Sequence, residues 1–300
     1  MEPAEPPLSQ LLQQDVSGLA SGGIFASLAL ALVLIYRATR VINFAQGEMA
    51  TVSTFVAWSL VHHGMPFWGA FFLTLALSFV GGVALERVVI RPVESAPVLT
   101  VVIVTLGLAI LLNGVTSVKW GSDVKKFPSP FPTRPIHVGG VAFSIQDLGV
   151  IGVSIALVLA LGAFFRFTKV GLALRAAALN PEASRLVGVR VSWMLALGWG
   201  LAAVLGAVSG MMIAPVVFLD PNMMQTVLLY ALAAAILGGM DSPLGAVVGG
   251  LALGVILNLT GAYVNFIGGT LRLPVALAVI LLVLLVRPSG LFGRAAVRKV

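Results

Sequence analysis

Apolar residues occupy the chain in long runs, separated by short clusters of Gly, Pro and charge. Nine runs stand out, over 17–36, 44–61, 67–85, 97–118, 148–165, 192–218, 226–240, 243–262 and 272–286. Several exceed the roughly 18 apolar residues that suggest a helix crossing a bilayer. No in–out alternation runs through successive segments, as barrel strands would require. The pattern therefore predicts an all-α, polytopic transmembrane helical bundle, one domain over 1–300 with its core in 17–290. The seventh and eighth runs are short or poorly separated. "GGMDSPLGAVVGG" reads either as a turn between two spans or as a break in a re-entrant pair, so the pattern is compatible with eight to ten spans.

The polar interruptions set an orientation. Arg37 and Arg40 follow the first run, and Arg87 and Arg91 the third. Arg166, Lys169, Arg175, Arg185 and Arg190 follow the fifth, and Arg287, Arg294, Arg298 and Lys299 close the chain. Lys and Arg gather in cytoplasmic loops. All four sets share that side if the N-terminus is outside and the C-terminus inside. The one dissenting loop is "KWGSDVKKFPSPFPTRPIHVGG", with four basic residues on the outer side; its prolines prevent it from continuing a helix.

Composition narrows the chemistry. The 300 residues are 59% hydrophobic and 10% charged, far from the roughly 25% charged usage of soluble domains. With no cysteine, disulfides, zinc–thiolate sites and thiol catalysis are excluded. The net charge of +7 punctuates loops and implies no nucleic-acid partner. The first 18 residues hold no Lys or Arg, so the positive n-region of a secretory signal is missing. No H-E-x-x-H or G-x-S-x-G spacing occurs, and His62 and His63 sit at the outer end of the second run, where they mark the interface. No Lys is followed by Ser or Thr, so the phosphate-binding G-x-x-x-x-G-K-[ST] loop is absent from this chain. No cofactor or metal is expected.

Small residues four apart mark helix contacts: Gly206 with Gly210, Gly245 with Gly249, and Gly250 with Gly254. Such pairs let backbones approach closely in lipid and speak for packing, not substrate. Segment 166–191 is the longest polar interruption on the inner side. "GLALRAAALN" reads as a short helix and "NPEASRLVGV" as a second one, with Asn180 as N-cap, Pro181 in the first turn, and Glu182 complementing the helix dipole. Leu172, Leu174, Leu186 and Val189 give an apolar face, and Arg175, Arg185 and Arg190 a charged one. That face serves the lipid surface, a plain connection, or a cytoplasmic partner.

The stretch "RVINFAQGEMA", Arg40 to Ala50, places Asn43, Gln46 and Glu48 where the apolar runs imply membrane depth. An ionisable group there is expensive and usually faces a cavity or a partner. Irregular backbone at that depth is tolerated only where it lines protein or a water-filled path. One reading makes Asn43, Phe44, Gln46 and Glu48 part of a translocation path or its inner gate. The other has Glu48 cap the helix or pair with Arg37 or Arg40. Phe44, Met49, Phe55 and Trp58 suit an apolar route and ordinary packing equally. Asn113 and Asn258 are the other amides in or near spans, and bridging between helices is their commoner use.

Three stretches carry a resemblance to a known family. "VINFAQGEMATVSTFVAW", "GLALRAAALNPEASRLVGV" and "ALAAAILGGMDSPLGAVVGGLALGVI" resemble the permease subunits of ABC importers for branched-chain amino acids, specifically the H-type half. The likeness spans about 17 to 290. This chain has Gln46 where the usual form has His. The resemblance implies a second permease subunit (an M-type partner or a second copy), two ATP-binding subunits on the cytoplasmic face, and a soluble solute-binding protein outside. It implies that Arg175, Asn180, Pro181, Glu182 and Gly188 contact the ATPase, and that the chain is a multi-pass protein of the plasma (inner) membrane. Importers of urea and short amides share these motifs, so the solute stays open. Two rival classes are an ion-coupled carrier using Glu48 and a membrane-embedded enzyme. A lone carboxylate weakens the first, and missing catalytic constellations weaken the second.

Overall fold

The computed structural model of the chain describes residues 8–132, 134–138, 141–264 and 271–293. The expectations for the first seven residues and for Arg294, Arg298 and Lys299 lie outside them.

Each predicted run is a helix. In chain order the elements are α1 (Leu8–Thr39), α2 (Gln46–His62), α3 (Phe67–Leu85), α4 (Val98–Trp120), β1 (Pro135–Val138), β2 (Val141–Ser144), α5 (Ile145–Phe167), α6 (Lys169–Leu179), α7 (Pro181–Leu186), α8 (Val191–Val217), α9 (Met223–Gly238), α10 (Pro243–Tyr263) and α11 (Arg272–Val286). Among the described residues, six helical stretches are long and apolar enough to cross a membrane: α1, α3 with its continuation to Val93, α4, α5, α8 and α10. The apolar helices α2, α9 and α11 are shorter, at 17, 16 and 15 residues. Past Leu85 the third helix widens into a π turn over Glu86–Ile90 and tightens into a 3₁₀ turn over Arg91–Val93.

The ambiguous "GGMDSPLG" is a turn between two helices. Gly239, at φ +104°, lets the chain leave α9. The Ser242 hydroxyl then accepts the Gly245 amide at 3.0 Å and opens α10, with Pro243 in its first turn. The Pro-rich loop after α4 holds an antiparallel hairpin, β1 against β2, which the hydropathy pattern had not indicated. Four-residue strands give too few alternations to register beside long apolar runs.

Helices α1 and α8 form the centre. Across their most apolar windows α1 is 83% and α8 72% buried, whereas α4 and α5 are 17% and 11% buried. The outer helices therefore keep most of their apolar surface for lipid or another subunit. Close approach at the centre rests on glycine. A Cβ on Gly22 would lie 2.8 Å from Leu251 Cα, and one on Gly18 2.9 Å from Val255 Cα, so α1 and α10 touch backbone to backbone. Gly250 and Gly254 meet Ala26 and Gly22 across the same seam. Gly206 and Gly210 admit α2 against α8, and Gly245 and Gly249 admit α10 against the end of α9. The spacing in the sequence thus marked real contacts.

Candidate functional site

The stretch after α1 departs from helix. Arg40 has φ +59°, and residues 41–45 rise as irregular backbone before α2 starts. They rise far: the Gln46 side-chain amide donates to the Ala202 carbonyl at 2.8 Å. Ala202 lies about three turns into α8. Irregular backbone buried that deep needs its own partners. Asn43 supplies them. Its Oδ1 accepts the Ala45 amide at 3.1 Å, its carbonyl accepts the Gln46 amide at 3.3 Å, and its Nδ2 donates to Gln46 Oε1 at 3.2 Å.

The structure divides the four predicted residues. Asn43 and Gln46 are fully buried and lock the start of α2 onto α8. A Cβ on Gly206 would lie 2.7 Å from Gln46 Nε2, so that glycine makes room for the amide. Glu48, two positions on, points the other way, because residues two apart on a helix do not share a face. The Asn113 amide of α4 donates to Glu48 Oε2 at 3.3 Å, to the Pro221 carbonyl at 3.0 Å and to Asn222 Oδ1 at 3.0 Å. Gln225 of α9 donates to Asn222 Oδ1 at 2.9 Å, and Asp220 Oδ1 accepts the Asn222 amide at 2.7 Å. Arg40 does not pair with Glu48; it binds Asp241 at 2.6 Å. Phe44 is half-buried beside this entry.

The network joins the first turns of the two short helices α2 and α9. Each follows a non-helical polar stretch, 40–45 and 218–222, and each stretch holds a non-Gly residue at positive φ, Arg40 and Phe218. Gly47 of α2 faces Met224 and Leu228 of α9, so the two helices start side by side. They then diverge. Helix α2 runs to the loop after α4, where Trp58 donates to the Lys126 carbonyl and Trp120 to Ser59. Helix α9 runs to the opposite end, where Gly238 meets Gly245. Short helices that begin within the bundle are where transporters place their sites. Glu48 is only 6% exposed, Asn113 is half-buried, and Asn222 and Gln225 are exposed, so the network reaches from the interior to one face of the chain. The sequence reading named Asn113 as a helix bridge but missed Asp220, Asn222 and Gln225. Their signal was the second short run led by polar residues, "LDPNMMQ", matching "VINFAQGE".

Asn258 is a plain bridge, donating to Gln14 Oε1 at 2.8 Å and to the Gln14 carbonyl. His62 stacks on Trp58 and the His63 ring pairs with the Ser59 carbonyl.

The 166–191 segment folds as the sequence indicated. The Thr168 hydroxyl caps α6 and Asn180 Oδ1 accepts the Ala183 amide at 3.0 Å to cap α7. Gly188, at φ +84°, ends the second helix, with its amide donating to the Arg185 carbonyl. Asn180, Pro181, Glu182 and Gly188 are all exposed, beside Leu179, Leu186 and Val187, which are 72%, 89% and 78% exposed. Arg175 does not share that surface. It lines a cavity of about 510 Å³ between α1, α5, α6, α8 and the start of α10.

Comparison with known proteins agrees with this architecture. Two solved structures share the fold: PsaBC from Streptococcus pneumoniae in complex with Fab (TM-score 0.50, 13% identity, covering 93% of this chain and 92% of that one) and a transporter assigned to the metal-chelate ABC type, in an inward-facing conformation (TM-score 0.50, 16% identity, 95% and 89%). The chain is 30% identical to LivH of Escherichia coli K12, a high-affinity branched-chain amino acid transport system permease protein, over 96% of this chain and 97% of that one. It is 29% identical to BraD of Pseudomonas aeruginosa, of the same description, over 98% and 100%. The family described as the permease component of branched-chain amino acid transport systems matches residues 16–286, and this chain belongs to it.

Proposed function

We propose that the protein translocates branched-chain or related hydrophobic amino acids as one membrane subunit of an ABC importer, with the route passing the junction of α2 and α9. The observation that carries this reading is the network of Glu48, Asn113 and Asn222, set in an apolar bundle and open on one face. A few polar groups among apolar walls suit a zwitterion with an apolar side chain, which must bind weakly enough to leave. In this reading a second permease subunit, either an M-type chain or another copy, covers the exposed face and completes the route. A solute-binding protein delivers the amino acid from outside. ATP is hydrolysed by two separate subunits on the cytoplasmic side, which dock on the exposed tip formed by Asn180, Pro181, Glu182 and Gly188. The charge pattern supports a plasma-membrane orientation with that tip and the C-terminus inside, and the N-terminus and loop 119–147 outside.

The test is uptake by the full complex in proteoliposomes, with and without ATP, against leucine, urea and short amides. ATP-dependent leucine uptake that changes in Glu48→Gln is the expected result. Uptake of urea or amides alone would reassign the solute. Uptake that persists without ATP and loses its pH dependence in Glu48→Gln would make the chain an ion-coupled carrier instead.

A further inference from the structure

Helix α3 ends irregularly. Past Leu85 it widens into the π turn and then tightens into the 3₁₀ turn, all within the stretch long enough to cross the membrane. Such π turns are rare and occur mostly at functional sites. The first two residues of this one are charged. Glu86 is 1% exposed, and its Oε2 accepts no hydrogen bond among the described residues. Arg87 stands beside it, with Nε 3.8 Å from that oxygen. A carboxylate buried in a spanning helix is expensive and marks a functional site by default. Neither the junction of α2 and α9 nor the α7 tip uses this one.

On its other side the Arg87 guanidinium lies over the Trp193 ring, with Cζ 3.8 Å from the ring centre. Trp193 stands in the first turn of α8. Arg87 Nε and Nη2 are buried and make no hydrogen bond among the described residues. Charge and ring attraction therefore hold the end of α3 to the start of α8. Both are looser in direction than a hydrogen bond, so the contact can slide without breaking.

Both sides of the contact lead further. The Trp193 amide donates to the Arg190 carbonyl at 3.0 Å, and the Val189 amide donates to the Ser184 carbonyl at 2.9 Å. Ser184 is the buried residue of α7, so the short link 187–190 ties the α7 tip to the ring. From Arg87, α3 runs back along α8, where a Cβ on Gly82 would lie 2.6 Å from the Trp199 carbonyl. One turn further the Ser78 hydroxyl donates to Ser53 of α2 at 2.8 Å, with both residues buried. Helix α2 carries Glu48 in its first turn.

We infer that Arg87 and Trp193 are positioning residues that pass a displacement of the α7 tip to α3, and through α3 to the start of α2, with the π turn as the joint that gives. The inference rests on the reading above, in which ATP-binding subunits dock on α7. Lying between two sites does not by itself couple them, so the experiment measures the coupling.

The test uses the full complex in proteoliposomes, with ATP hydrolysed and leucine taken up read from the same vesicles. In Trp193→Leu and in Arg87→Gln, leucine taken up per ATP should fall about threefold or more while hydrolysis continues. Trp193 is 43% exposed, and its replacement leaves the Glu86–Arg87 pair intact, so Trp193→Leu decides the matter even where Arg87→Gln fails to assemble. Trp193→Phe and Arg87→Lys, which keep a cation over a ring, should recover most of the loss. The double variant should do no worse than the worse single one, because both changes remove one contact. Uptake per ATP unchanged in Trp193→Leu, with only the amount of assembled complex lowered, would make the contact structural and overturn the relay. So would additive losses in the double variant, or conservative variants no better than the truncations. Those results leave the reading above standing, whereas wild-type uptake that ignores ATP would overturn that reading and the relay with it.

Discussion

Gln46 and Glu48 stand two positions apart and do different work. The Gln46 amide joins Asn43 to the Ala202 carbonyl inside a fully buried pocket. Gln46→Leu removes both bonds and strands the Asn43 amide on the Met49 sulfur at 3.6 Å. Such a loss costs about 1–3 kcal/mol. The expected outcome is a lower unfolding midpoint with uptake per assembled complex retained. Glu48→Gln keeps the shape and an acceptor for Asn113, so its stability should stay within about 1 kcal/mol of wild type while uptake changes. Thermal unfolding and uptake, measured on the same preparations, separate the two roles. Two variants that both melt early and both transport normally would leave α2 with a structural start only.

At the scale of elements, glycine contacts decide which helices pack closely. A Cβ on Gly210 would overlap Thr54 Oγ1 and lie 2.9 Å from the Ala50 carbonyl. Gly210→Leu should therefore push α2 from α8 and destabilise by about 1–3 kcal/mol or more. Gly107→Ala on α4, where nothing lies within 4 Å, should be neutral or stabilise by up to about 1 kcal/mol. Helix α7 offers a functional counterpart. Glu182 is exposed in its first turn, so Glu182→Arg should insert and fold normally. In the full complex, ATP hydrolysis should continue while uptake falls; normal coupling would remove α7 from the docking surface. The apolar runs, the Asn180 cap of α7 and the glycine pairs were legible because each is decided within a few turns of one segment. The partners of Glu48 were not. Asn222 and Asp220 sit in a connection where polar residues are ordinary, and only the meeting of α2, α4 and α9 makes them a group. Its spacing put Arg175 with Arg185 and Arg190 on one charged face, and the fold-back of α6 places it against a cavity.

For the whole molecule, the described helices fix relative ends before any membrane is considered. The loop after α4 lies at one end, with the far end of α2. The end of α1, the start of α10 and helix α6 lie at the other, gathered around the cavity that Arg175 lines. On the orientation proposed above, the end richer in positive charge is the cytoplasmic one. Arg37, Arg166, Lys169, Arg175, Arg185 and Arg190 stand at the cavity end, against Lys119, Lys125, Lys126 and Arg134 in the loop. The loop's four basic residues count against that end being outside, but they are fewer than the six at the cavity end. Absence of native cysteine makes the experiment clean. Asp123→Cys, exposed in the loop, should react with an impermeant maleimide in sealed cells. Leu186→Cys, 89% exposed on α7, should react only after permeabilisation. The reverse pattern would invert the molecule, place the α7 tip outside, and withdraw it from any ATP-driven subunit.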